Sequence, residues 1–148
     1  MASYRHLARI AVMQALFAYE FRKCDPEEAL EHSFKEFSDK IKDDPFALDT
    51  LKGVIKHKRK IKSTIEENAP QWPYEKIARV DRAILQIGVY ELLFSKDVPP
   101  VVAIDEAIEV AKSYGDLNSS KFINGVLSTV MNKTNKKACK TSKPSKKK

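Results

Sequence analysis

Apolar residues return every three or four positions along most of this chain, and proline, glycine or short polar stretches separate the runs, a pattern that predicts helices throughout. The first run, from Tyr4 to about Arg22, sets Leu7, Ala11, Gln14, Ala18 and Phe21 on one stripe, with Arg5, His6, Arg9 and Met13 on a neighbouring surface. Asp25-Pro26-Glu27-Glu28 combines an N-cap, a first-turn proline and two acids. It opens a second helix with Ala29 or Leu30, Phe34, Phe37 and Ile41 as its buried stripe. Asp44-Pro45 opens a third, carried by Leu48, Leu51 or Val54 or Ile55, Lys58, Ile61 and Ile65 as one continuous helix as far as Ala69-Pro70. Trp72-Pro73 turns the corner after it. Ile77 to Phe94 is apolar around most of its circumference, which places it in the middle of the fold. Gly88 is expected to admit a neighbouring helix, and Asp81 and Arg82 to lie at the surface near the helix start.

Pro99 and Pro100 stop what precedes them and suit the first turn of a new helix. Ile104, Ile108 and Ala111 form its inner face, Asp105, Glu109 and Lys112 an outer one, and Tyr114-Gly115 ends it. Residues Asp116 to Ser120 then supply N-caps for a last helix, in which Phe122 or Ile123, Val126 or Leu127, and Val130 repeat at helical spacing. The corner between these two helices gathers an amide (Asn118), two hydroxyls (Ser119, Ser120), a cation (Lys121) and a ring (Phe122) around a helix N-terminus. Unpaired amides there favour an anion, and a phosphate would suit the corner. The same residues also fit the commoner arrangement, a plain cap with a core aromatic.

Three ordered segments carry a resemblance: RHLARIAVMQALFAYE from Arg5, VDRAILQIGVYEL from Val80, and KFINGVL from Lys121. Over about Tyr4 to Met131 the chain resembles the NusB family of transcription antitermination factors. The resemblance implies an all-helical domain of two packed three-helix bundles that binds the single-stranded boxA element of nascent RNA together with the ribosomal protein NusE, in a transcription elongation complex. It also implies that Arg5, His6 and Arg9 form one RNA surface and Asn118, Lys121 and Phe122 a second, with Asp81 facing a protein partner. Phe17 and Tyr114 are further candidate rings for base stacking. Here His6 and Leu7 interrupt the run of arginines that many relatives carry, and Asp105 and Gln86 stand where Asn and a cation are common; these departures imply weaker RNA contact. The resemblance leaves a homodimer open.

Charge changes this picture in one respect. The chain of 148 residues has a formal charge of +7, but residues 133–148 hold eight lysines and no acid, leaving 19 basic and 20 acidic groups in residues 1–132. RNA affinity in the folded domain, 1–132, must therefore come from local patches, while the lysine-rich tail, 133–148, is expected to be disordered and to attract any polyanion. Two patches stand out. The first helix has no acid before Glu20, so its cationic start opposes the macrodipole. Lys52, Lys56, Lys58, Arg59, Lys60 and Lys62 crowd the third helix, but they spread over more than half its circumference, which favours a solvated face over auxiliary RNA contact.

Catalytic chemistry has little to stand on. His6, His32 and His57 are scattered, the four glycines make no phosphate loop, and Cys24 and Cys139 form neither a CxxC pair nor a disulfide framework. No cofactor or metal is expected. No run approaches the roughly 20 apolar residues of a membrane span, and the first helix lacks a signal peptide's cleavage pattern, so a cytoplasmic binding protein is expected. A protein-docking adaptor whose tail attracts RNA nonspecifically is the alternative. A third possibility, the same domain fronting a ribosomal-RNA methyltransferase, is disfavoured because no methyltransferase segment follows.

Overall fold

The computed structural model describes residues 4–36, 45–95 and 97–142. The expected continuation of the second helix through Phe37 and Ile41, and the last six residues of the tail, lie outside them. Seven α-helices occur among the described residues: α1 (Tyr4–Arg22), α2 (Pro26–Glu36), α3 (Pro45–Lys56), α4 (Lys58–Asn68), α5 (Arg79–Leu93), α6 (Pro100–Tyr114) and α7 (Ser119–Ser142). A single 3-10 turn, Tyr74–Lys76, leads into α5. Helices α2, α3 and α6 each start on a proline, whose missing N–H leaves no helical bond unmade in the first turn.

One bundle is α1, α2 and α3; the other is α5, α6 and α7; α4 joins them by packing on α3, α5 and α7. Helix α5 touches α1, α3, α4, α6 and α7, which is the central position its apolar circumference predicts. The expected stripe of α1 is too narrow. Residues Ala8 to Met13 are all buried, because α2, α3 and α5 enclose that part of the helix, whereas Phe21 is exposed beyond the bundle. Gly88 does admit a neighbour: a Cβ there would lie 2.7 Å from Cδ1 of Leu127 on α7. Gly53 plays the same part for Tyr90, whose ring a Cβ would approach to 2.3 Å.

Three boundaries differ from the sequence reading. The expected long third helix is two, α3 and α4, bent at His57 (φ −106°, ψ 23°). Bonds from His57 N–H to the Gly53 carbonyl (3.0 Å) and from Ile61 N–H to the His57 carbonyl (2.9 Å) persist, so the chain bends without unwinding. The His57 ring stacks on Phe94 at 3.9 Å between centroids, a tertiary contact invisible to periodicity. Second, α1 ends with Lys23 in the left-handed region (φ 59°), where glycine is the usual occupant, its N–H donating to the Tyr19 carbonyl at 2.9 Å. Third, α7 continues past Met131 to Ser142, so the first ten residues of the segment expected to be disordered are helical. Lysine and alanine are good helix formers, and cations near a C-terminus suit the helix dipole.

Replacing Gly53 with alanine is expected to destabilise the fold by about 1–3 kcal/mol in urea denaturation, because the Tyr90 ring is overpacked despite the better helix propensity. Gly125→Ala, where no atom lies within 4 Å of the added carbon, is the matched control. It should gain up to about 1 kcal/mol.

Candidate functional site

The cationic start of α1 is neutralised from the other bundle. Arg9 is only 4% exposed and donates from Nε and Nη2 to both carboxylate oxygens of Glu91 on α5, at 2.9–3.1 Å. Its Nη1 lies 3.3 Å from Glu106 of α6, and His6 Nδ1–H donates to the same Glu106 oxygen at 2.7 Å. The Phe46 ring of α3 lies under both Arg5 and Arg9, at 4.5 and 5.0 Å from their guanidinium carbons. Burial pushes the Glu91 carboxyl above the usual carboxylate range, and the Arg9 bonds pull against that. The expectation that Arg9 offers its charge to RNA is therefore corrected: its guanidinium is buried and occupied. Arg5 remains exposed at the helix start, and His6 is half-buried.

The corner between α6 and α7 is also partly filled by the protein itself. The Ser119 hydroxyl donates to the Asp116 carboxylate (3.1 Å) and accepts from the Asp116 N–H (2.9 Å), while the same carboxylate takes the Asn118 N–H (3.1 Å). Asp116 thus supplies the anion at the start of α7, and a phosphate would have to displace it from the Asn118 amide. The cap is Asp116, with the buried Ser119 bonding back to its N–H as in a capping box. Asn118, Lys121 and Tyr114 are exposed, and Phe122 is half-buried against the core.

An open cavity of about 360 Å³ joins this corner to the start of α5: Trp72, Lys76, Asp81, Asp116, Asn118 and Phe122 are among its lining residues. Asp81, expected on the surface, is only 8% exposed, and so is Arg82, which the Glu20 carboxylate and the Tyr74 carbonyl hold at 2.6 and 3.2 Å. Burial raises the Asp81 carboxyl above its ordinary value, against the influence of Ser119. Asp81, Asn118 and Phe122 are therefore brought together. Phe17 is not: it lines a separate cavity between α1 and α2 beside Phe21. The residue that sequence reasoning missed is Trp72, 54% exposed beside Phe122's cavity, although a tryptophan in a proline-flanked loop was a signal. Glu91 and Glu106, the acids that take up Arg9 and His6, were missed because they are distant in sequence.

Among the described residues no group of three His, Cys, Asp or Glu could hold a metal ion, and no helix is long and apolar enough to cross a membrane. The molecule is thus a small helical protein of two bundles, joined through a buried ion pair and presenting an aromatic, amide and cationic corner. Residues 6–132 match the family model described as the NusB family. The transcription antitermination protein NusB of Bacillus pumilus is 40% identical over 128 residues, which span 86% of this chain and 95% of that one. Among solved structures, NusB of T. maritima superposes with a TM-score of 0.78 at 40% identity, covering 89% of this chain and 93% of that one. A crystal structure of the antitermination factors NusB and NusE in complex with double-stranded RNA gives 0.78 at 26% identity, covering 90% and 99%. The chain belongs to the NusB family.

Two outcomes are expected. Glu91→Ala leaves Arg9 buried without its main partner and should cost about 3–5 kcal/mol in chemical denaturation, whereas the paired replacement Arg9→Met with Glu91→Leu should recover most of that loss. For Asp81 the raised folded value means that the folded chain holds the proton more tightly than the unfolded chain. That contribution is complete below the ordinary value of 3.8 and is lost as pH rises through the folded value. Asp81→Asn should therefore be at least as stable as wild type at neutral pH, and its thermal midpoint should change less with pH across the window immediately above 3.8.

Proposed function

We propose that this protein is an RNA-binding transcription antitermination factor that recognises boxA-like single-stranded RNA together with the ribosomal protein NusE and supports ribosomal RNA transcription within the elongation complex. It acts by binding and not by catalysis. The observation that carries this reading is the match of nearly the whole helical domain to antitermination proteins, one of which has been captured with NusE and RNA.

The geometry supports a division of labour. Arg5, exposed and sharing the Phe46 ring with Arg9, contributes phosphate attraction at the start of α1, with His6 at its edge. At the corner, Lys121 attracts phosphate, the Asn118 amide is placed to read a base edge, and Phe122 and Trp72 offer rings at one cavity. Asp81, at the inner wall of the same cavity, is the residue we assign to the protein partner, so that partner and RNA meet at one place. Arg9 supports this surface from below by fixing α1 against α5 and α6.

The test is the affinity of the full chain for a boxA-like RNA and a scrambled RNA at fixed salt, with and without NusE. Wild type should prefer boxA. Trp72→Ala should reduce the boxA affinity by about 1–3 kcal/mol, the contribution of one base stack, with the fold intact. Arg5→Ala should weaken both RNAs alike and flatten the salt dependence. Absence of any boxA preference, even with NusE, would sink the reading and leave a docking adaptor with nonspecific RNA attraction.

A further inference from the structure

Between α4 and the C-terminal end of α1 lies an open groove of about 390 Å³ that shares no lining residue with the corner cavity. Lys23, Lys58, Arg59 and Lys62 stand on its walls with the rings of Tyr19 and Tyr74. Its carboxylate, Glu20, is already held by the buried Arg82 at 2.6 Å and so competes little for these cations. Lys62 has an exposed partner in Glu75 at 3.5 Å, while no carboxylate of the described residues pairs with Lys23, Lys58 or Arg59. Lys58 instead lies over the Tyr19 ring at 5.8 Å and reaches its hydroxyl at 3.4 Å.

Lys23 is the second observation. It sits in the left-handed conformation at the position where glycine closes a helix with least strain, yet it is a lysine lining a groove that lacks free acids. Lys23 brings to three the cations on these walls that have no carboxylate partner among the described residues, which leaves the groove with positive charge to receive an anion.

We infer that this groove is a further RNA site, taking the phosphate backbone and one base of the single strand flanking the recognised element; the inference rests on the RNA-binding function proposed above. RNA fits better than an acidic peptide because the groove interleaves cations with an aromatic ring, and a nucleotide supplies both a phosphate and a π-face. A phosphate that draws Lys58 outward uncovers Tyr19 for the base, while Lys23 and Arg59 hold the neighbouring phosphates. Tyr19 lies roughly 21 Å along α1 from Arg5 at 1.5 Å per residue, so a strand bound at the start of α1 must extend beyond its recognised element to reach the groove.

The experiment uses the full chain with two RNAs, one just covering boxA and one extended by a dozen unpaired uridines, measured by fluorescence anisotropy over a salt series. Lys58→Gln with Arg59→Gln should leave the short RNA unaffected, weaken the long one by about five- to tenfold, and lower the salt slope for the long RNA by roughly 1.4, the value for two phosphate contacts on a single strand. Lys23→Gly should also weaken the long RNA while its thermal midpoint rises, a split that a structural role for Lys23 would not produce. With 4-thiouridine in the extension, the crosslinked peptide should contain Tyr19. Equal long-RNA affinity in wild type and variants overturns the site. So does an equal loss when the same charge is removed at Lys35 and Lys112, which would make the effect one of bulk charge. If the groove variants alter binding of polyglutamate but not of RNA, the site is an acidic-peptide site and the inference falls alone. If wild type binds neither RNA, the proposed function falls and takes the groove with it.

Discussion

The ion pair between Arg9 and Glu91 is the constraint on which the arrangement depends. Each charge is almost wholly removed from water, and each alone would be strongly unfavourable there, so α1 and α5 can bury their apolar faces together only in the register that brings the two groups into bidentate contact. Glu106 draws α6 into the same contact and takes His6 as well. The pair is thus a device of specificity more than of net stability: hydrophobic burial favours packing in general, and the charges select one packing.

The same economy governs the two surfaces proposed above for RNA. An arginine-rich helix start reads as a row of phosphate ligands, yet here its second arginine is a structural post and the first rests on an aromatic ring. The corner before α7 follows the same logic. Asp116 already satisfies the helix start, and the polar groups left standing out around the cap are the side chains of Asn118 and Lys121, with rings beside them. In both places an acid takes up a cation or an amide, and the groups left exposed are the ones open to partners.

Local signals carried most of the fold. Proline starts at Pro26, Pro45 and Pro100, the spacing of apolar residues, and the apolar circumference of α5 all had one structural solution, and the close approach at Gly88 was legible from a glycine inside such a helix. What was not legible depended on residues far apart in the chain. The break at His57 accompanies stacking on Phe94, the burial of Asp81 and Arg82 accompanies contacts with Ser119, Glu20 and Tyr74, and Arg9 is taken up by an acid 82 positions away. The candidate site was legible in part for the same reason. Asn118, Lys121 and Phe122 are neighbours in sequence, whereas the contribution of Trp72 arises only when the loop before α5 meets the start of α7.

The separation of Arg9 and Glu91 also orders events in time. During vectorial synthesis α1, α2 and α3 emerge first, but the buried position of Arg9 has no counter-charge until α5 has left the ribosome. The N-terminal bundle therefore acquires the counter-charge of its buried arginine only after α5 has been made. The two bundles thus complete each other: the charge that the first one buries is answered only by the second.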